Sequence, residues 1–257
     1  MSNNIRNYIN DVTSKSYKFF DDWNKREIIW LISAVIIVSI AAFIGWDSGE
    51  YLTSFIAAIG SIMGTICVIL VSKKRISNFI FGFLNVACFG IIYLVIGMYG
   101  MAAVNLFYFI PMQLIGFNYW LSKKQSIDTI KVKWASWKLR ISYIILTIIG
   151  TIIIFKLVEY IPELFTIYQM NLPVATCLLR FMDSFGTIGN ILAQLLMTFA
   201  VIDQWIFWFL INISQLIAFG FIIFVEGNIY YLSIFIMYLI WTINSIWGFL
   251  YWVKNKY

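Results

Sequence analysis

Trp205, Trp208 and Asn212 fall at helical spacing inside an apolar run, and together they could hold a flat, ring-bearing ligand. Successive helical residues turn about 100°. Trp208 therefore lies about 60° round the helix from Trp205, and Asn212 falls between them. Aromatic faces stack on planar rings, and an amide hydrogen-bonds the edges of a ribose or a base. For the two indoles alone, the competing reading is an interfacial aromatic belt. Asn212 is a poor belt residue.

Other polar residues interrupt the apolar runs at similar spacing. Asp183, Thr187, Asn190 and Gln194 share one helix face, and Asn78 and Asn85 are nearly eclipsed on another. Asn105, Gln113 and Asn118 follow, and Asn244 stands between Trp241 and Trp247. Polar groups left unpaired in hydrocarbon cost several kcal/mol. Any one of these amides could simply bridge two helices; a stripe on each of four segments points to a common cavity. The candidate binding set is therefore Trp205, Trp208, Asn212, Gln113, Asn85, Asn78, Asn190, Gln194 and Asn244.

The elements that carry these residues must be membrane spans. The chain is 62% hydrophobic and 12% charged, with mean hydropathy +0.87, and a spanning helix needs about 20 apolar residues. Eight such stretches run approximately over 28–46, 50–71, 77–97, 101–121, 140–160, 184–202, 204–224 and 229–252. The first is long, has a polar leader and lacks an Ala-x-Ala cleavage signal, so it reads as a retained helix.

The net charge of +6 is a topology signal rather than a nucleic-acid surface. Arg6 to Arg26 precede the first span, Lys73 to Arg75 follow the second, Lys123 to Arg140 follow the fourth, and Lys254 and Lys256 close the chain. With eight spans all of these lie on one side. The opposite loops carry Asp47, Glu50, Glu159, Glu163 and Glu226, with only Lys156 and Arg180 nearby. The positive-inside rule then sets both termini in the cytoplasm.

Several chemistries are disfavoured by what the sequence lacks. Cys67, Cys88 and Cys177 have no CxxC spacing and read as inert thiols, and there is no His. No metal site and no cofactor are expected. The sequence contains no P-loop, and no acidic residue at midplane suits an ion relay. A membrane enzyme acting on lipid or prenyl groups would need paired intramembrane acids or a Ser/His set, so the chain reads as a non-enzyme.

The sequence also repeats. Gly116-Phe117-Asn118-Tyr119-Trp120 returns as Gly248-Phe249-Leu250-Tyr251-Trp252, and Ile59-Gly60-Ser61 resembles Ile188-Gly189-Asn190. Asn78 and Asn85 align with Trp205 and Asn212. Spans two to four and six to eight then form two copies of a three-helix unit joined by a single linking span. Three helices plus one linker restore the same orientation, so the repeats are parallel about the membrane normal. The expected fold is an all-α integral membrane protein of SWEET-like 3+1+3 arrangement with one extra N-terminal helix. Its segments are a cytoplasmic leader (1–27), the extra helix (28–46), the first bundle (50–121), a basic loop with linker helix and external loop (122–183), the second bundle (184–252) and a cytoplasmic tail (253–257).

Three stretches carry a family resemblance. Trp205-x-x-Trp208-x-x-x-Asn212, Asn78-x-x-x-Gly82-x-x-Asn85 and Phe109-Ile110-Pro111-Met112-Gln113-x-x-Gly116 resemble the signature of the PnuC family of bacterial vitamin transporters, over roughly residues 50–252. The resemblance implies facilitated uptake of nicotinamide riboside across the bacterial inner membrane, with trapping by a cytoplasmic kinase. It implies stacking by Trp205 and Trp208, and hydrogen bonding by Asn212, Gln113 and Asn85. It further implies assembly as a trimer. Similar carriers move thiamine, riboflavin or deoxyribonucleosides, and these remain the alternative cargoes. One departure is that the family often has a basic residue and a Glu before the first motif Trp, where this chain has only Asp203. A membrane subunit that works with a separate ATPase is the reading from a different class.

Overall fold

The computed structural model describes residues 2–14, 18–20, 22–124, 129–160 and 173–256. Lys15 and Glu163, which entered the charge reading, lie outside them. The helices are α1 (Ser2–Thr13), α2 (Lys25–Ile44), α3 (Tyr51–Ser72), α4 (Asn78–Val95), α5 (Tyr99–Ala103), α6 (Ile110–Ser122), α7 (Trp137–Tyr160), α8 (Pro173–Thr198), α9 (Gln204–Phe224) and α10 (Leu232–Lys254). A π-helical stretch, Val104–Phe109, joins α5 to α6, and a 3-10 turn, Ile229–Tyr231, leads into α10. The described residues contain no sheet, only isolated bridges such as Arg75 to Thr129 and Lys133 to Val201.

Seven of the helical runs among the described residues are long and apolar enough to cross a membrane. Helix α8 is not one of them, although its 26 residues would suffice in length. It carries Arg180 as well as Asp183, Thr187, Asn190 and Gln194, the polar stripe noted above. The expected segment boundary at 183/184 also falls inside this helix, because Asp183 is an interior residue rather than a span end.

Local chemistry explains where the helices start, bend and stop. Asn24 and Glu27 form a capping box at the start of α2, with the Asn24 Oδ1 accepting the Glu27 N–H at 3.0 Å and the Glu27 carboxylate accepting the Asn24 N–H at 2.8 Å. Pro111 has no N–H to continue the α-helical ladder. The preceding turn widens into the π stretch instead, where the Ile110 N–H reaches Asn105. Helices α3 and α8 end alike. Lys74 (φ 59°) and Ala200 (φ 56°) take the left-handed conformation. The next N–H folds back in each, from Arg75 to Leu70 at 2.9 Å and from Val201 to Leu196 at 2.8 Å.

Helix α3 packs against α2, α4 and α10, while α9 packs against α8 and α10, and α5 and α6 bridge α4 to α8. Helix α7 packs chiefly on α8 and leaves Ile144, Ile148 and Ile152 exposed, as a lipid-facing helix should. One end of the molecule collects the basic segments. There Lys73, only 1% exposed, bonds Glu27 (3.0 Å) and the Tyr251 hydroxyl (3.0 Å), with the Tyr251 ring centroid 4.5 Å away. Burial, with the Lys73 ammonium adding to it, pushes the neighbouring Lys74 amine below its ordinary pKa, and that amine donates to the Asn255 carbonyl at 2.8 Å.

Two indoles cross between the packed groups at the same end. Trp120 of α6 donates to the last carbonyls of α8, Met197 and Thr198. Trp252 of α10 donates to the last carbonyls of α3, Val71 and Ser72. Both rings are fully buried.

Candidate functional site

A partly open cavity lies between these helices. Helices α3, α4, α8, α9 and α10 and the α5–π–α6 run all contribute to its lining. The π stretch turns Asn105 and Phe109 toward it, and Gln113 follows one turn on. Helix α9 contributes Trp205, Trp208 and Asn212, helix α8 Asn190 and Gln194, and helix α4 Asn85. Seven of the nine candidate residues are thus brought together from four helices.

The other two lie elsewhere. Asn78 is fully buried at the start of α4, where its amide donates to the Arg75 carbonyl of the preceding turn. Asn244 is also fully buried. It donates to the Val68 carbonyl at 3.1 Å and accepts the Trp30 N–H at 3.4 Å, tying α10 to α3 and α2. Asn244 is consumed in joining helices, the ordinary use of a polar group in a membrane bundle, while Asn78 spends its side-chain N–H on the turn and leaves its Oδ1 buried without a partner among the described residues, away from the cavity lining. Their spacing could not distinguish a residue facing the cavity from one facing a neighbouring helix.

The cavity amides are only half satisfied. Asn212 donates to the Ser245 hydroxyl at 3.2 Å, which leaves its Oδ1 buried without a partner among the described residues. The Gln113 Oε1 and Gln194 Nε2 are likewise buried and unpartnered there. Asn85 donates to the Gly60 carbonyl (2.8 Å) and Asn190 to the Gly186 carbonyl (2.7 Å), each holding its side chain in place. Buried polar atoms are normally paired, so an acceptor, a donor and another acceptor converging on one space mark where a polar ligand fits.

The two motif indoles differ in environment. Trp208 is half-buried, its N–H donates to the Gln204 Oε1 at 3.3 Å, and its ring lies 6.4 Å from Phe109. Trp205 is 1% exposed, and its N–H has no partner among the described residues. Its ring stands edge-on to Trp252 at 5.5 Å and covers Gly248, where a Cβ would fall 2.7 Å from the indole. Phe79 sits the same way, edge-on to Trp120 at 5.1 Å and over Gly116. In packing, the counterpart of Trp205 is therefore Phe79, one residue beyond the Asn78 that the spacing selects.

Every side chain lining the cavity is uncharged. The two nearest acids in sequence are committed to structure. Asp183 accepts the N–H groups of Met101 (3.0 Å) and Gly100 (3.3 Å) at the start of α5. Asp203 accepts the Ala135 N–H at 2.8 Å and pairs with Arg140. Arg140 belongs to α7, so Asp203 ties the start of α9 to that helix. The sequence reading did not select Tyr93, Tyr238 or Trp241, which also line the cavity; Tyr93 and Tyr238 share a hydroxyl hydrogen bond.

Apolar spans packed around an uncharged, polar and aromatic cavity define a multi-pass membrane protein of the small-molecule carrier type. Residues 54–254 match the family model described as "Nicotinamide mononucleotide transporter", and the chain belongs to this family, the PnuC transporters. It is 24% identical to the nicotinamide riboside transporter PnuC of Neisseria mucosa over 92% of this chain and 84% of the relative. It is 27% identical to that of Haemophilus influenzae over 92% and 93%. Its fold is that of a crystal structure of the vitamin B3 transporter PnuC, with a TM-score of 0.72 at 23% identity, covering 91% of this chain and 93% of the other.

Proposed function

We propose that this chain is a facilitator for nicotinamide riboside, admitting the nucleoside down its gradient, with net uptake completed by phosphorylation in the cytoplasm. The observation that carries this is the composition of the cavity. It offers aromatic faces for a pyridinium ring and unpartnered amide atoms for a carboxamide and ribose, with no charged side chain. The family description names a mononucleotide, whereas the relatives are named for the riboside. A phosphate is held best by a cation, and no lining side chain carries one, so the riboside is the better fit. The alternative cargo within the same mechanism is another nucleoside or ring-bearing vitamin, such as a deoxyribonucleoside, thiamine or riboflavin.

The binding set of this reading is Trp205, Trp208, Asn212, Gln113, Asn85, Asn190 and Gln194. Uniport fits the commitment of Asp183 to backbone N–H groups and of Asp203 to Arg140, which leaves neither of these two acids free for coupling to an ion gradient. The 3+1+3 parallel repeat, with α8 as an eighth span and α7 as linker, is supported by matched details. Among these are the left-handed ends of α3 and α8, the Phe79/Gly116 and Trp205/Gly248 pairs, and the reciprocal bonds of Trp120 and Trp252. The gathering of basic segments at one end supports cytoplasmic termini in a bacterial inner membrane. Assembly as a trimer belongs to the same reading by family resemblance.

The test is calorimetric binding to the purified protein with a panel of nicotinamide riboside, thiamine, riboflavin and several ribo- and deoxyribonucleosides. Saturable binding of nicotinamide riboside in preference to the others is expected. Preference for another member of the panel would overturn the cargo.

A further inference from the structure

We infer that Trp241 is a further ligand-contacting residue of this cavity, donating its indole N–H to an oxygen of the bound nucleoside while its ring forms part of the wall. The inference rests on the nucleoside-carrier reading and extends it to a residue outside the family-signature stretches.

Trp241 lies on α10 and lines the cavity. Its side chain is only half-buried, yet the Nε1 itself is cut off from solvent and has no hydrogen-bond partner among the described residues. Trp205, which also lines the cavity, and Trp23, which does not, share this state, whereas four other indoles are partnered. Trp208 donates to Gln204, Trp120 and Trp252 each donate to helix-end carbonyls, and Trp30 donates to Asn244. An indole N–H has no other role than donor, and burying it unpaired in a membrane protein is unfavourable. A ligand oxygen in the cavity would satisfy it.

The ring is also held where that bond requires it. Trp241 stands edge-on to Tyr238, with centroids 5.3 Å apart at 75°. Its Cζ2 lies over Gly64 of α3, where a Cβ would sit 2.6 Å away. The same Cβ would strike the Asn85 amide of α4. The missing side chain at Gly64 therefore brings an indole from α10 and an amide from α4 together at the cavity wall. One turn further on, Asn244 is pinned to Val68 and Trp30, which fixes the face that α10 presents. Helix α10 thus serves the cavity through Trp241, and Asn244 serves the packing.

Trp241→Phe keeps an aromatic ring beside Tyr238 and removes the donor together with the outer part of the indole that faces Gly64. Nicotinamide riboside affinity and thermal midpoint should be measured for this variant and for the unaltered protein. Loss of one hydrogen bond to a buried ligand predicts about tenfold weaker binding with an unchanged midpoint. Wild-type affinity in the variant would overturn the assignment. Weaker binding accompanied by a matching fall in midpoint would also overturn it, because the N–H would then be serving the fold. If the unaltered protein instead prefers another nucleoside from the panel, the cargo reading fails and the same comparison is made with that nucleoside. If it binds no nucleoside at all, both readings fall.

Discussion

Trp120 and Trp252 make the same bond in opposite directions. The Trp120 N–H spans the carbonyls of Met197 and Thr198 at 3.2 and 3.1 Å, and the Trp252 N–H spans those of Val71 and Ser72 at 3.2 and 3.0 Å. Each indole satisfies helix-end carbonyls that would otherwise lack partners, and the rings themselves approach to 6.3 Å. Replacing either Trp by Phe should cost about 1 kcal/mol of stability, read as a lower thermal midpoint in detergent. Because the rings touch, the double variant should depart from the sum of the two. Unchanged midpoints in both single variants would remove the cross-tie from the account.

Gly248 and Gly116 separate packing from binding. A methyl group at either position must displace a ring, Trp205 in one case and Phe79 in the other. Both Gly→Ala variants should lose about 1–3 kcal/mol of stability, the usual cost of overpacking. Gly248→Ala, which moves a cavity residue, should weaken nicotinamide riboside binding more than Gly116→Ala does. Equal affinities in the two variants would argue against a ligand contact by Trp205.

Removing the Trp208 ring should weaken ligand binding by about 1–3 kcal/mol, the scale of one stacking partner. Trp208 is half-buried, and its one hydrogen bond among the described residues is to Gln204 within its own helix, so Trp208→Ala should fold normally. Calorimetric affinity at the wild-type value would refute the stacking role.

The uncharged lining predicts discrimination against phosphate. Nicotinamide mononucleotide should compete with the riboside at least 100-fold less well than unlabelled riboside does, about 3 kcal/mol. Comparable competition by the two would show that a cation reaches the site.

The left-handed Ala200 carries a strain that glycine would relieve, since an L-residue in that conformation costs about 1–2 kcal/mol. Ala200→Gly should therefore match or exceed the wild-type thermal midpoint, by up to about 1 kcal/mol after the extra unfolded-state entropy of glycine. A clear drop would mean that the Ala200 methyl group contributes more to packing than the turn costs.

Much of this was legible in the chain. The α9 span was expected at 204–224 and runs Gln204–Phe224, because its apolar run is bounded by polar residues. Hydropathy alone read Asp183 as a span end, whereas a carboxylate can sit inside α8 when the start of α5 supplies two N–H donors. Residue types on a helix face pointed to the cavity, and seven of nine candidates line it. Asn78 and Asn244 have the same composition and spacing as true lining residues, and only their neighbours assign them to packing. Trp241 was passed over for the opposite reason. A Trp in an apolar helix carries no polar signal until the partners of its N–H are known.

The central claim is tested most directly by loading the purified chain into liposomes and following radiolabelled nicotinamide riboside entry without ATP or an imposed ion gradient. The account predicts saturable entry that stops when internal and external concentrations are equal, and that continues past this point only when a riboside kinase and ATP are enclosed. Accumulation above the external concentration driven by a proton or sodium gradient, in vesicles without the kinase, would contradict it.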